Sequence, residues 1–253
     1  MIRPHRLLLT ASVAALCLAV VRTSDAKPPK VSTLDKCPAI GVENPGTTRA
    51  ALNEVKHRAP RDMPPLYLEF DDLPVLQRLA DGVVKSGEKA KVLPKDRAKL
   101  KDFEVRSMKV AEGDLVAMTG YIVGKPSANV GESANCYLRG PANNDFEFTF
   151  APRRDDTAYQ GIVGEMIPQG RPKEWTLARL RKVGADHRQV LVVGQMMFDT
   201  RHVPNPKPGT NHESPRVSTW EIHPVTKLLV CPKDQCDPHD EKAWQPLSTV
   251  SER

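Results

Sequence analysis

The chain has 253 residues, of which 40% are hydrophobic, 27% are charged and 5% are aromatic, and its formal net charge is +6. This composition is typical of a globular protein and excludes a fibrous chain, a membrane-embedded chain and a mini-protein held only by disulfides. The 23 prolines and the scarcity of aromatic residues indicate long loops and a modest core.

The first 26 residues have the pattern of a secretory signal peptide. Arg3 and Arg6 give a positive start, residues 7–21 form an apolar run, and Ala26 ends a small-x-small cleavage pattern. As a helix this run would rise about 22 Å, which is short of the roughly 30 Å hydrocarbon core of a bilayer. The sequence therefore predicts cleavage before Lys27 and an exported chain, periplasmic or secreted, with no integral membrane segment after cleavage.

Removal of the signal peptide takes away three Arg and one Asp, so the net charge falls from +6 to +4. The remaining basic residues do not form a stripe along any one segment. Because neutralising several phosphates requires clustered Lys and Arg, the charge pattern neither requires nor excludes a polyanionic partner.

Residues 27–101 are predicted to form an N-terminal arm with short helices. Thr47 or Thr48 is a suitable N-cap for a helix that ends at His57. Asp72 is a suitable N-cap for a second short helix.

From residue 102 the hydrophobic period changes to that of strands, and residues 102–231 are predicted to form one β domain. The five predicted strands are 114–123, 145–151, 161–168, 189–199 and 218–231. A single helix at 175–183 is predicted between the third and fourth strands. Gly120 and Gly194 lie within strands and indicate bulges or sharp bends.

This order predicts a mainly β fold, a five-stranded OB-like Greek-key barrel with one helix between strands three and four, preceded by the short helical segment. Loop 124–144 joins strands one and two, and loop 200–217 joins strands four and five. Two such loops flank the binding face of an OB barrel. Residues 232–253 are expected to form a flexible C-terminal tail.

Residues 66–231 also resemble a group of exported bacterial proteins of uncharacterised activity that have an OB-like barrel. The most specific pieces are WEIHPVTK at 220–227 and NNDF at 143–146. The resemblance implies a fold and an exported location, and it implies no catalytic residue or ligand.

Four cysteines remain after signal cleavage, an even number that favours two disulfides in an exported protein. Cys231 and Cys236 can close a local loop, which leaves Cys37 to pair with Cys136. The alternative is a metal site, because Cys231, Cys236 and His239 have C-x4-C-x2-H spacing, although zinc sites usually have tighter spacing.

Side chains suited to chemistry are concentrated in loop 200–217 and the strand after it. Glu221 and His223 are two residues apart on a predicted strand, so they share a face, and Trp220 takes the opposite, interior face. With His202 and His212 they could form an acid/base pair or a metal site. This is the basis of one hypothesis, a metal-assisted hydrolase of phosphodiester or related bonds. Alternatively, Glu221 and His223 form only a structural hydrogen bond. The lack of a recognised metal-ligand spacing in the sequence favours this alternative.

The leading hypothesis is a non-enzymatic exported binding module without a cofactor, because recognised nucleophile and nucleotide-binding motifs are missing from the sequence. We expect it to hold an extended ligand, an oligosaccharide, oligonucleotide or peptide, on the barrel face between the two long loops. The expected ligand-binding residues are Asn135, Arg139, Asn144, Arg201, His202, Glu221 and His223. A third hypothesis is that this protein has a structural or envelope-assembly role and binds another protein through its N-terminal helix.

Overall fold

The computed structural model describes residues 31–85, 92–204 and 214–252. Its α-helices are α1 (Thr48–His57), α2 (Leu73–Asp81), α3 (Pro94–Arg97) and α4 (Leu177–Ala185). Its strands are β1 (Leu66–Tyr67), β2 (Phe103–Val105), β3 (Met108–Val110), β4 (Leu115–Asn129), β5 (Asp145–Ala151), β6 (Ile162–Met166), β7 (Gln189–Phe198), β8 (Trp220–Val230) and β9 (Gln245–Pro246). The expected signal peptide and His212 lie outside the described residues.

Five strands close into a barrel, so the prediction of a mainly β barrel is confirmed. Antiparallel pairs join β4 to β5, β5 to β6, β8 to β7 and β7 to β4, and β6 pairs with β8 in parallel. Closure leaves no open edge among these five strands. The sequence did not predict the four shorter strands. Of these, β1 extends the sheet beside β4, and β9 extends it beside β8. The other two, β2 and β3, form a separate hairpin.

Two glycines within the strands lie where backbones approach closely. A Cβ at Gly194 would lie 2.3 Å from the carbonyl oxygen of Pro224, and the register of β7 against β8 shifts beside Gly194. A Cβ at Gly120 would lie 2.7 Å from the carbonyl oxygen of Ala151. Neither position has room for a side chain. The predicted bulge is confirmed at Gly194, whereas the register of β4 against β7 runs without a shift through Gly120.

The helix α1 lies on the outer surface of the barrel. Thr47 is its N-cap, and the Thr47 side chain accepts a hydrogen bond from the backbone N–H of Ala50 at 3.1 Å, as expected. On the buried side of the helix, Leu52 and Val55 pack against Met197 of β7. In the described residues no helix is long and apolar enough to cross a membrane.

Two disulfides are formed, and both pairings agree with the prediction. Cys37 pairs with Cys136, which ties the segment before α1 to the loop between β4 and β5. Cys231 pairs with Cys236, so these two cysteines cannot also act as thiolate ligands of a metal. The third member of that alternative site, His239, lies against the ring of Tyr67 with centroids 4.1 Å apart.

The C-terminal segment packs against the barrel, in contrast to the flexible tail expected from the sequence. Trp244, Leu247 and Val250 are all buried, and β9 pairs with the end of β8. The indole N–H of Trp244 donates to the carbonyl oxygen of Asp237 at 2.8 Å. The apolar residues of this segment are spaced three apart, and that spacing lets a short irregular chain bury one side.

Trp220 belongs to the apolar core of the barrel, as predicted. It is 0% exposed, and its ring centroid lies 5.0 Å from that of Phe198 and 6.1 Å from that of Phe103. In the described part of the chain the indole Nε1 has no hydrogen-bond partner. The residue therefore stabilises the fold through packing.

Trp220→Ala should lower the free energy of unfolding by ~3 to 5 kcal/mol, because it removes a buried ring and leaves a cavity. Trp220→Phe should lower the free energy of unfolding by less than Trp220→Ala does, since a ring remains and no hydrogen bond is lost. Urea denaturation followed by far-UV circular dichroism measures both, with Val130→Ala, at a position that is 54% exposed, as a control that should change little. A Trp220→Ala protein as stable as the wild type would contradict this account of the core.

Candidate functional site

A set of charged side chains lies on the outer face of the barrel. Because side chains alternate along a strand, Glu221 and His223 of β8 are on the face opposite Trp220. Glu147 of β5 lies directly across from Glu165 of β6. We call the following set the charged layer: Lys56, Glu132, Asp145, Glu147, Glu165, Glu221 and His223.

The helix α1 and the loop between β4 and β5 cover this layer. The Lys56 Nζ atom lies 2.9 Å from Glu132 Oε1 and 3.7 Å from Glu165 Oε2. Asn53 of the same helix donates to the Ser133 hydroxyl of the loop at 3.2 Å. Lys56 is 7% exposed and Glu165 is 4% exposed, so these charges are enclosed between the helix and the barrel.

The charges on Lys56 and Glu165 are maintained by their neighbours. Burial by itself would lower the pKa of Lys56, but the negative charges of Glu165 and Glu132 outweigh burial and raise this pKa well above its usual value. Burial would likewise raise the pKa of Glu165, and the positive charges of Lys56 and His223 hold it well below its usual value. Both groups are therefore ionised at neutral pH.

His223 is fully buried, and its two ring nitrogens face different groups. Its Nδ1 atom lies 3.2 Å from Glu221 Oε1 in a hydrogen bond and 2.9 Å from Glu165 Oε2 in an ion pair. Its Nε2 atom lies 4.0 Å from Asp145 Oδ2 and has no hydrogen-bond partner within residues 31–85, 92–204 and 214–252. Burial would lower the pKa of His223, but the charge of Glu165 and the contacts with Glu165 and Glu221 raise it to about 10.

A chain of polar contacts leads from Asp145 towards the surface. Asp145 Oδ1 accepts a hydrogen bond from Asn135 Nδ2 at 2.7 Å, and Asn135 Oδ1 accepts one from Gln169 Nε2 at 3.1 Å. The same Gln169 nitrogen lies 3.1 Å from His57 Nε2. Burial, followed by the negative charges of Glu132 and Glu165, raises the pKa of Asp145 well above its usual value.

A second group of charges lies where β7 ends and β8 begins. Asp199 pairs with His202, and this hydrogen bond raises the pKa of His202 above its usual value. Arg216 NH1 lies 3.9 Å from Asp199 Oδ2 and 3.0 Å from Glu221 Oε2. The group reaches solvent at His202, whose side chain is 52% exposed.

The structure brings together part of the site expected from the sequence. Glu221 and His223 are in contact, and Asn135 reaches the same layer by its bond to Asp145. His202 makes its hydrogen bond with Asp199 rather than with Glu221 or His223.

The other expected ligand-binding residues lie apart from the layer. Arg139 and Arg201 are exposed. Asn144 is buried, and its side-chain Oδ1 atom has no hydrogen-bond partner.

Sequence reasoning missed Lys56, Glu132, Glu165 and Arg216. A signal existed for Glu165, because it interrupts the apolar stretch GIVGEMIP, and a carboxylate inside a buried strand needs a partner. The other three residues lie in a weakly apolar helix and in two loops, where a charged residue is ordinary.

Asp145, Glu165 and His223 have the arrangement of a candidate metal centre. One ligand atom from each lies within 4.8 Å of the other two, and all three residues are buried. Imidazole and carboxylate together suit divalent cations of the first transition series.

Two clefts open beside the charged layer, one on each side of the segment 168–175. The loop-side cleft has a volume of about 520 Å³, and its lining includes Asn144, Phe146, Lys173 and Trp175. The helix-side cleft has a volume of about 260 Å³, and its lining includes His57, Gln169 and Pro224. Arg171 lines both clefts. It is fixed by hydrogen bonds to three backbone carbonyls and lies 3.6 Å above the centroid of the Phe146 ring.

Comparison of the chain with protein-family models, with curated proteins and with solved structures gave no match. Its function is therefore inferred from its own geometry.

Glu147→Gln should weaken the pH dependence of stability. Burial, followed by the negative charges of Glu165 and Glu221, raises the pKa of Glu147 from 4.5 to about 7. A carboxyl group whose pKa is raised on folding binds its proton more tightly in the folded state. The stability it contributes is therefore present below pH 4.5 and is lost as the pH rises through about 7.

Denaturant titrations across this pH range, with EDTA present, measure the effect. Relative to the wild type, Glu147→Gln should lose less stability as the pH rises, whereas the exposed control Glu104→Gln should keep the wild-type profile. A profile for Glu147→Gln identical to that of the wild type would show that Glu147 titrates normally.

Proposed function

We propose that the protein is an exported, non-enzymatic binding module that holds a segment of an oligosaccharide in the loop-side cleft. The observation that carries this proposal is the lining of the cleft: an aromatic and proline surface in which the ring of Trp175 is partly exposed. Ligand sites are typically concave and mostly apolar, with a few placed polar groups. Lys173, which is exposed at the rim, adds a positive charge.

We further propose that the barrel is OB-like. The strand order β4, β5, β6, β8, β7 supports this, because it joins strands that are not consecutive in the chain, as a Greek key does. The position of α4 between β6 and β7 also supports it. In OB barrels the loop between the first two strands borders the bound ligand. Here the corresponding loop contributes Pro141 and Asn144 to the cleft.

The cleft lies beside the barrel face between the two long loops rather than on it. In the described residues α1 covers that face, and Glu221 and His223 are 1% and 0% exposed. A ligand in the cleft therefore cannot touch these two side chains. Their burial also argues against a hydrolase that acts through His202, Glu221 and His223, because a substrate would have no access to two of the three.

An oligosaccharide is favoured over an oligonucleotide by the aromatic content of the cleft. Trp175 is partly exposed there, whereas Phe146 is buried. Proteins that bind single strands stack successive bases on several exposed rings. A protein partner bound through α1 is not favoured, since Leu52 and Val55 already pack on the barrel.

Export is supported by the two disulfides, because disulfides persist in oxidising compartments.

Tryptophan fluorescence tests the proposed ligand. Trp220 and Trp244 are buried, so a ligand in the loop-side cleft should change the emission of Trp175. Titration with chito-oligosaccharides and peptidoglycan glycan fragments should shift the emission of the wild type, and Trp175→Phe should abolish this shift. Lys173→Ala should weaken binding about tenfold, the equivalent of one hydrogen bond.

Tyr137→Ala is the matched control, because Tyr137 is exposed on the same loop but does not line the cleft. It should bind as the wild type does. Failure of every glycan to bind, or binding that is indifferent to both cleft substitutions, would refute the proposal. Binding of single-stranded DNA or a proline-rich peptide in place of glycans would assign the cleft to another ligand class.

A further inference from the structure

The most unusual atom of the charged layer is the Nε2 nitrogen of His223. It lies in a fully buried side chain, and no residue that the structure describes forms a hydrogen bond with it. Leaving a buried polar atom unsatisfied is costly, so a ligand that fills its coordination is favoured. Asp145 Oδ2 faces it at 4.0 Å. Atoms that bind one ion at about 2.1 Å in a tetrahedron lie about 3.4 Å apart, so a small closing movement would complete the geometry.

We propose that Asp145, Glu165 and His223 bind one divalent transition-metal cation, such as Zn²⁺ or Mn²⁺. Ligand atoms of the three residues lie within 4.8 Å of one another on the adjacent strands β5, β6 and β8. Glu132 contacts Asp145 beside this cluster, and its Oε2 atom is also buried with no hydrogen-bond partner among the described residues. This proposal is independent of the loop-side cleft.

The surroundings of His223 orient it as a ligand. A ligating histidine usually gives its other ring N–H to a carboxylate, which fixes the direction of the ring. Nδ1 of His223 bonds to Glu221, and Arg216 holds the second oxygen of Glu221 at 3.0 Å. The Nε2 atom is thereby aimed at Asp145. Glu165 Oε2 also lies 2.9 Å from Nδ1, so Glu165 would leave this contact to bind the cation.

The charges around the proposed site balance a divalent cation. With Asp145 ionised, Glu132, Asp145 and Glu165 supply three negative charges, and Lys56 supplies one positive charge from α1. Glu221 and Arg216 pair with each other and cancel. Metal binding would release the protons of His223 Nε2 and Asp145 to solvent, and a divalent cation with the resulting neutral imidazole would bring the sum to zero. A buried site without net charge avoids the large penalty for burying an isolated ion.

Full burial of the three ligands assigns the cation a structural role. Catalytic metal sites keep an open position for water or substrate, whereas structural sites are closed by protein ligands. The cation would connect three barrel strands, and the hydrogen bond from Asn135 to Asp145 ties the site to the loop between β4 and β5. The contacts from His57 through Gln169 and Asn135 to Asp145 mark a route from the helix-side cleft.

The test uses the full mature chain, unfolded with EDTA while its disulfides stay oxidised, and then refolded without metal. Calorimetric titration with Zn²⁺ and with Mn²⁺ should give one equivalent for at least one of them, with a rise in Tm. His223→Gln and Asp145→Asn should bind at least ~100-fold more weakly, and Glu221→Gln, which releases the orienting contact, about tenfold more weakly.

Two controls separate this site from other effects. Glu112 is a buried carboxylate paired with Arg97, so Glu112→Gln should lower stability and keep the full stoichiometry. His239→Ala should also keep the full metal-binding stoichiometry. This result would exclude a metal site near the C-terminal disulfide. X-ray absorption of the loaded wild type, a readout that does not depend on the folding of any variant, should show oxygen ligands with one nitrogen and no sulfur.

Failure of the refolded wild type to bind either cation would overturn the proposal. So would sulfur in its coordination shell, loss of binding in His239→Ala, or wild-type affinity in a folded His223→Gln protein.

Discussion

The contact of the Lys56 ammonium with Glu132 and Glu165 is the interaction on which the covered face of the barrel depends. Its three partners come from a helix, a loop and a strand, so the position of each fixes the other two. Removing charges from water costs several kcal/mol per ion, and close pairing offsets that cost. If α1 moved away, Lys56 would move into water with it. Glu165 and His223 would stay on the barrel without the charge of Lys56 beside them. The charged layer therefore makes docking of the helix an all-or-none event.

The barrel strands thus separate two buried regions of different chemistry. Inside the strands the core is apolar and includes Trp220, whereas the layer between the strands and α1 is ionic. The Cys37–Cys136 disulfide holds the two covering segments together across 99 residues of sequence. In the chain-entropy model a loop of that length stabilises the fold by roughly 4.7 kcal/mol. Because the ionic layer occupies the face between the long loops, an extended ligand is left with the cleft beside it.

The five barrel strands, the longer helices and the disulfides could be predicted from the sequence, because their signals are local. Alternation of apolar residues identified the five barrel strands, and Thr47 identified the start of α1. The packed C-terminal segment was missed because two residues in β9 give no period to detect. The charged layer was missed for a different reason: Lys56 and Glu165 are 109 positions apart in the sequence, and their pairing follows from how the helix docks. Glu221 and His223 were found because they share one strand.

The unfolding free energy of Lys56→Met is the most direct test of the claim that paired charge holds α1 in place. Methionine fills similar space without charge, so Glu132 and Glu165 would lose their common partner, and the account predicts a loss of ~3 to 5 kcal/mol. The double variant Lys56→Met with Glu165→Gln should lose less than the sum of the two single variants, because the two side chains interact directly. A Lys56→Met protein as stable as the wild type, or more stable, would contradict the account and show that apolar contacts alone dock the helix.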